Sequence, residues 1–313
     1  MRKRRKFYRG AMNHIYQRTL SGNNLFYEYE DFLTFFTMMS VSARSADIKV
    51  LSLCLMYNHF HSLAQSENME ELSDFINHVT SWFAREFNLS IGRSGQLLKK
   101  NFGSAPKRDA KAIRNTINYI GNNPVEKKTC ARAEEYRWNF LAYAQSKFPF
   151  SSPIVLRSAS RKIRRAVKEI DAMVTLNLPL KFGHIRRLFN GLQHTEIEQL
   201  TDYIISEYMF IDFECAASYY GSYSKMIEAI HYNTGSEYEI NEEWDCDPDV
   251  AYNEMSAYIK QFRPETPVRS VISLSRDEKS DLNIRLQAHT SASARQIAKF
   301  LHLPVAGKHM KHK

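Results

Sequence analysis

The chain has 313 residues, 43% of them hydrophobic and 25% charged, and it carries a formal net charge of +9. This length and composition support a packed core and two domains, and the basic balance favours a polyanionic partner such as nucleic acid, with a merely basic protein as the alternative. No apolar run reaches the roughly 18 residues of a membrane span. Four widely spaced cysteines without a CxxC pattern argue against a zinc ribbon or a disulfide scaffold and fit a reducing compartment.

The chain begins with a basic run, Met1 to Lys6, which is not followed by the apolar stretch of a secretory signal. We expect a flexible arm in which Arg4 and Arg5 contact DNA phosphates, with a solvated tail as the alternative. Residues 11–18 have the pattern of a first strand, in which His14 is expected to be packed or solvated, with a position near the histidine pair described below as the alternative.

Two helices and two strands are predicted next. Apolar residues recur at helical spacing from Glu28 to about Ala43 and again from Met69 to Phe87. Between them, the run that begins at Ile48 is apolar and β-branched enough to be a buried strand, and His59 to Ala64 is predicted to be its hairpin partner or a bulged continuation. Alternating strands and helices indicate an α+β or α/β sandwich.

The second of these strands opens with the triplet His59-Phe60-His61. Side chains alternate between the two faces of a strand, so both imidazoles point to the same side. Two neutral imidazoles can hold a divalent metal ion and leave coordination positions open for a phosphate. Histidines that are simply packed, without a metal, are the alternative.

A helix that contains Tyr119 is predicted after Asp109, which can cap it. We expect this helix to end before Asn123-Pro124, because proline disfavours the helical conformation in the residue before it. Tyr119 and Asn123 are four residues apart and therefore share a helix face. The glycine- and lysine-rich segment before the helix offers four candidate contacts for a DNA backbone, a solvated surface being the alternative: Lys99, Lys100, Lys107 and Arg108.

From about Pro153 onward the pattern is helical only. Helices are predicted over 155–174, which is strongly basic, and over 181–189, 195–208 and 223–231. The acidic stretch 237–249 is expected to be a surface loop, and 263–267 has the composition of a linker. We therefore divide the chain into an N-terminal domain (1–150), a helical accessory domain (151–265) and a C-terminal tail (266–313).

The tail is predicted to contain two short helices. Ser275 and Glu278 form a capping box for the first, and Ser293 can cap the second. Two short helices separated by a tight polar turn fit a helix-turn-helix, with a plain helical pair as the alternative. Three side chains would then lie near its base-reading end: Arg295, Gln296 and Lys299.

Four runs in this order resemble the single-tyrosine HUH transposases, and most of all the REP-associated branch of the insertion-sequence-200-like family. The runs are Asn-His-Ile-Tyr-Gln-Arg at 13–18, Met-Tyr-Asn-His-Phe-His at 56–61, Asn-Tyr-Ile-Gly-Asn-Asn-Pro-Val at 118–125 and Glu-Tyr-Arg-Trp at 135–138. The resemblance covers about residues 5–145. It implies that 1–150 is the catalytic domain, with a ferredoxin-like α+β sandwich whose antiparallel sheet has helices on one face, followed by an all-helical C-terminal region.

The resemblance also implies the roles of the residues. His59 and His61 would bind Mg²⁺ or Mn²⁺ with Asn123 as a third, polar ligand, and Tyr119 would be the nucleophile. The implied reaction cleaves and rejoins single-stranded DNA flanked by hairpins through a 5′-phosphotyrosine intermediate. Arg18 and Lys127 complete the expected contacts to DNA, and activation of the Tyr119 hydroxyl by Lys127 or Lys128 is the alternative role of these lysines.

We further expect a cytoplasmic, nucleoid-associated bacterial protein, a monomer or a homodimer, that binds hairpin DNA and flanking duplex and no membrane. One alternative is a domesticated DNA-binding or regulatory protein that keeps the fold with little or no catalysis. Another is a replication-initiation or relaxase nickase, which predicts a second tyrosine close to the first. No tyrosine other than Tyr119 lies between Tyr57 and Tyr136.

Overall fold

The computed structural model describes residues 6–232 and 248–304. The two arginines of the expected basic arm, Arg4 and Arg5, and nearly all of the acidic stretch lie outside the described residues. Within the described ranges no helix is both long and apolar enough to cross a membrane.

A four-stranded antiparallel sheet forms the N-terminal half. Its strands are β1 (Met12–Arg18), β2 (Lys49–Met56), β3 (His59–Gln65) and β4 (Gly103–Lys107), in the order β2-β3-β1-β4. Helix α1 (Tyr29–Ser45) connects β1 to β2, and helix α2 (Met69–Ser90) connects β3 to β4. This connectivity and strand order are ferredoxin-like, and the predicted α+β class is confirmed. The expectation of helices on one face was wrong, because a third helix covers the other face.

The two faces of the sheet are covered by different helices. On one face α1 and α2 pack together, and Phe35 of α1 lies 5.1 Å from the Phe60 ring of β3 and 5.2 Å from the Phe83 ring of α2, between ring centroids. Because side chains alternate along β3, the neighbours of Phe60 point to the other face. Helix α3 (Ala110–Glu126) lies across that face and contacts β2, β3 and β4.

The end of α3 differs from the prediction. The helix was expected to stop before Asn123-Pro124, and this expectation was wrong: α3 runs to Glu126 with Pro124 inside it. A proline removes one helical hydrogen bond, from its own missing N–H. Here it stands in the last turn, where the N–H of Lys127 still bonds to the carbonyl oxygen of Asn123 at 3.1 Å. The turn that holds Asn123 therefore stays helical.

Strand β4 was not predicted at all. Its sequence, Gly-Ser-Ala-Pro-Lys, has no β-branched or aromatic residue, which is the usual signal of a strand. It pairs only with β1 and forms an edge of the sheet. An edge strand tolerates Pro106, because one side of its backbone needs no hydrogen-bonding partner.

After position 150 the described residues form helices and short helical turns, as predicted. The helices are α4 (Arg161–Thr175), α5 (Phe182–Phe189), α6 (His194–Glu207), α7 (Phe213–Ser218), α8 (Tyr223–His231), α9 (Val250–Phe262), α10 (Arg276–His289) and α11 (Ala294–Phe300). Of these, α7 and α9 were not predicted.

These helices enclose the sheet domain on both sides. Helices α5 and α6 pack on α1, and α4 packs on α6, so α4 lies in an outer layer on the side of the sheet away from α3. Helix α8 packs on α3. The hydroxyl of Tyr27 donates to the carbonyl oxygen of Phe300 at 2.9 Å, which fixes the end of α11 to the loop before α1. One hydrophobic core runs through all these elements, and the expected domain boundaries at 150 and 265 stay a prediction.

Candidate active site

Strand β3 and helix α3 bring four of the predicted residues together between the helix and the sheet. His59, His61, Tyr119 and Asn123 are 3%, 0%, 3% and 1% exposed. The rings of His59 and His61 are 4.9 Å apart and perpendicular, and the rings of His61 and Tyr119 are 5.4 Å apart, also perpendicular. The alternation of β3 and the i to i+4 spacing of α3 thus converge on one buried cluster.

A third histidine joins this cluster from β1. The Nε2 atom of His14 lies 2.9 Å from Nδ1 of His61, and its ring lies 5.7 Å from that of Tyr119. His14 is buried, so it is packed rather than solvated. It packs against His61 and therefore belongs to the cluster. The contact is diagonal across the strand pair, since His61 faces Tyr16 in the register and His14 faces Leu63.

The hydrogen bonds of the histidines bear on their tautomers. Nδ1 of His59 lies 2.6 Å from Oδ1 of Asn58, and an amide oxygen only accepts, so Nδ1 of His59 carries the proton. The neutral ring then has its lone pair on Nε2, which is buried. The equivalent tautomer of His61 donates from Nδ1 to His14. An acceptor behind each imidazole is how metal-binding histidines are commonly oriented.

The donor set fits a divalent metal ion. In addition to the two imidazoles, Oδ1 of Asn123 is buried and accepts no hydrogen bond from the residues that the structure describes. Two nitrogens and one amide oxygen suit Mn²⁺ better than Mg²⁺, which prefers oxygen ligands. Over the same described ranges no group of three His, Cys, Asp or Glu side chains is arranged to hold a metal. The candidate centre is therefore two histidines and one amide.

A second tyrosine flanks the site and was missed by sequence reasoning. Tyr16 faces His61 across the β1–β3 pair, with 6.2 Å between ring centroids, and it is only half-buried. Its ring lies over Gly103 of β4, where a Cβ atom would be 2.1 Å from Cζ of Tyr16. The available signal was its spacing of two from His14 in the predicted first strand, which puts both on one face.

The basic residues predicted to contact DNA differ in exposure. Lys99, Lys100 and Arg108 are exposed, and the guanidinium of Arg108 lies 4.5 Å from the centre of the Tyr8 ring. Lys107, at the end of β4, is buried. Two further residues are half-buried: Arg18, which faces His59 in the register, and Lys127, which follows the last turn of α3.

The two C-terminal helices begin as predicted, with a capping box at Ser275 and a cap at Ser293, which forms a second capping box with Gln296. The side chain of Gln296 donates from Nε2 to the carbonyl oxygen of Pro248 at 2.7 Å, and Gln296 and Lys299 are 2% and 5% exposed. Helix α11 therefore turns these two side chains toward the protein, and Arg295 is the exposed member of the predicted base-reading set.

Comparison with known proteins gives one partial likeness. No family model matches the chain, and no curated protein matches it. Among solved structures, the chain is similar to a REP-associated tyrosine transposase bound to a REP hairpin, with 14% sequence identity and a TM-score of 0.40. The match covers 46% of this chain and 86% of the other. A likeness of this size carries no conclusion about activity.

Proposed function

We propose that this protein is a metal-dependent enzyme that cleaves and rejoins single-stranded DNA, in the manner of a transposase. The observation that carries the proposal is the buried cluster in which Tyr119 lies beside His61 and His59, with Asn123 one helical turn further along. A hydroxyl nucleophile next to a pair of imidazoles and an amide oxygen is the set of groups that phosphoryl transfer to tyrosine requires.

In the proposed reaction the Tyr119 hydroxyl attacks the scissile phosphorus. A bond forms between the tyrosine oxygen and phosphorus, the bond from phosphorus to the 3′ oxygen breaks, and the proton lost by Tyr119 is balanced by the proton that the 3′ oxygen gains. A divalent cation held by His59, His61 and Asn123 would stabilise the charge that develops on the phosphate. The products are a 5′-phosphotyrosine and a free 3′-OH.

The covalent step lets the reaction run in reverse without an external energy source, because the phosphotyrosine keeps a phosphodiester bond. A 3′-OH from another strand that attacks the same phosphorus joins the two DNA ends and restores Tyr119. Burial of Tyr119 supports this role, since excluding water protects the intermediate from hydrolysis.

The DNA partner in this proposal is a single strand next to a hairpin. Lys99 and Lys100 precede the edge strand β4 and Arg108 follows it, and all three are exposed and suit contact with phosphates. Arg18 lies on the sheet face that holds the cluster, opposite His59.

The test is formation of a covalent protein–DNA adduct. Labelled hairpin DNA from the sequence that flanks the gene is incubated with the protein and Mn²⁺ or Mg²⁺ and resolved on a denaturing gel. We expect an adduct that requires the metal and is abolished in Tyr119→Phe. The matched control is Tyr16→Phe, which removes the hydroxyl of the other tyrosine near His61 and is expected to keep the adduct.

Two results would overturn the proposal. Loss of the adduct in Tyr16→Phe but not in Tyr119→Phe would show that the nucleophile is wrongly assigned. DNA binding without an adduct on any hairpin substrate would favour a DNA-binding or regulatory protein that keeps the fold without catalysis.

A further inference from the structure

Helix α4 carries an exposed face made of cations. Its inward side is apolar, with Ile163, Ala166, Val167 and Ile170 buried. The outward side carries four exposed cations at the spacing of one helix face: Arg161, Arg164, Arg165 and Lys168. Arg157, in the segment just before the helix, is exposed as well.

Ion pairing distinguishes these four cations from several other exposed cations of the described residues. None of them forms an ion pair with a carboxylate within residues 6–232 and 248–304, whereas several other exposed cations do, among them Lys147, Arg187 and Arg285. The neighbouring Arg187 of α5, for instance, pairs with Glu169 of α4 itself. The second carboxylate of α4, Asp171, accepts a hydrogen bond from the Tyr203 hydroxyl of α6. Both carboxylates of α4 are therefore engaged by other helices, and neither forms an ion pair with the four cations.

The arrangement works against the stability of the helix. Arg161 with Arg165, and Arg164 with Lys168, are like charges at i and i+4, and each such pair destabilises a helix by about 0.2–0.5 kcal/mol. The first turn holds Arg161 and Lys162 and no acidic residue, although the helix dipole favours negative charge there. Folding alone does not explain this pattern, whereas a bound polyanion would.

The face is separate from the candidate active site. Helix α4 packs on α6, which packs on α1, and α1 covers the side of the sheet opposite to His59, His61 and Tyr119. A polyanion bound to α4 is therefore a different segment from the strand that reaches Tyr119.

We infer that the α4 face, formed by Arg161, Arg164, Arg165 and Lys168, binds the phosphate backbone of double-helical DNA. The four residues extend along about 10 Å of helix axis, and a DNA duplex carries one negative charge per roughly 1.7 Å, so several phosphates lie within reach of the face. Arginine in particular suits phosphate oxygens because its guanidinium donates two parallel hydrogen bonds. The choice of DNA as the polyanion rests on the proposed function, and the duplex anchors the substrate while its single strand is processed.

The experiment compares duplex binding by two variants with the same change in charge. The test variant replaces all four residues of the α4 face with glutamine. The control variant replaces four exposed cations that are already ion-paired with carboxylates elsewhere: Arg85, Lys147, Arg263 and Arg285. Binding of a short fluorescein-labelled duplex of arbitrary sequence is followed by anisotropy over a series of salt concentrations.

We expect the test variant to bind more weakly and with less dependence on salt. Each phosphate contact contributes about 0.9 to the slope of log affinity against log salt, so losing up to four contacts lowers that slope by up to about 3.6. The control variant should keep most of the slope. The melting temperature of the test variant should equal or exceed that of the native chain, because its like-charge pairs are removed, and this excludes unfolding as the cause.

The inference is overturned if the test variant keeps the native slope, or if the two variants lose equal amounts. It is also overturned if the test variant loses binding to vesicles of anionic lipid while duplex binding is unchanged, since that identifies a membrane-facing surface. Failure of this inference can be distinguished from failure of the proposed function by the adduct assay with short single strands. An adduct that still forms in the test variant leaves the assignment of Tyr119 intact.

Discussion

Replacing Arg269 with methionine is the sharpest test of how the C-terminal segment is attached to the sheet domain. Arg269 follows the expected linker and is 0% exposed. Its guanidinium lies 3.0 Å from Oδ1 of Asp31 and 3.1 Å from Oε2 of Glu30, at the start of α1, and donates from Nε to Oγ of Ser90 at 3.0 Å. It also stacks over the Phe182 ring at 4.0 Å. Methionine keeps the apolar packing and removes every polar contact.

The expected loss is set by the carboxylate that remains. Asp31 is fully buried, and Arg269 is the cation that pairs with it among the residues that the structure describes. Removing one partner of a buried ion pair costs about 3–5 kcal/mol, which is a large fraction of the roughly 5–15 kcal/mol that holds a domain folded. We expect the free energy of unfolding, measured by urea denaturation near neutral pH, to fall by that amount.

The pH dependence of this loss gives a second readout. Burial raises the pKa of Asp31 to about 7, and Arg269 opposes that rise, so its removal raises the pKa further. The pKa of Asp31 is therefore higher in the folded state than its value of about 4 in the unfolded chain. Such a carboxyl stabilises the fold while it is protonated, fully so below about pH 4. That stabilisation is lost as the pH rises through the folded-state pKa. The variant should therefore be destabilised less at about pH 5, where Asp31 is protonated, than at about pH 8.

The matched control is Arg276→Met, the same change at an exposed position of α10. A surface substitution of this kind is expected to alter stability by about 0.5 kcal/mol at most. If Arg269→Met costs no more than Arg276→Met, or if its cost is the same at both pH values, the reasoning about the buried carboxylate is refuted.

Two further substitutions test the neighbourhood of the candidate active site. His14→Phe keeps an aromatic ring beside Tyr16 but removes the nitrogen that contacts His61. We expect the affinity for Mn²⁺, measured by titration calorimetry, to fall by about 10–100-fold. An unchanged affinity would show that His14 does not orient His61. Gly103→Ala places a methyl group against the Tyr16 ring, which has to move, and we expect a loss of about 1–3 kcal/mol in thermal unfolding. In the Tyr16→Ala background the same glycine change should cost little, and equal costs in both backgrounds would contradict this explanation.

Much of the fold was predictable because its elements have strong local signals. The apolar periodicity of α1 and α2 and the apolar run of β2 gave their type and bounds to within a few residues. The caps at Asp109, Ser275 and Ser293 hold the helix starts as expected, each accepting a backbone N–H. Within the candidate site, the alternation of His59 and His61 and the helical spacing of Tyr119 and Asn123 were sufficient to place each pair on one face.

What could not be predicted depends on contacts between distant parts of the chain. Strand β4 exists because β1 offers an edge to pair with, and its own residues favour no strand. The contact of His14 with His61 depends on the register of two strands. The burial of Arg269 depends on three acidic residues more than 200 positions earlier, as the separation of 238 to Asp31 shows. None of these is visible as a local pattern.

The helical region also has a role that follows from how α3 is held. In the role proposed for it, Tyr119 has to be kept within a fraction of an ångström of its productive position, which requires support behind the helix that carries it. Helix α3 has the sheet on its Tyr119 side and α8 on its other side, where a Cβ at Gly121 would be 3.0 Å from Ile230. The hydroxyl of Tyr220 donates to Oδ1 of Asn118, the residue before Tyr119, at 2.8 Å. Residues from beyond position 200 thus fix the helix that carries Tyr119, so the N-terminal half alone would leave α3 without its outer support.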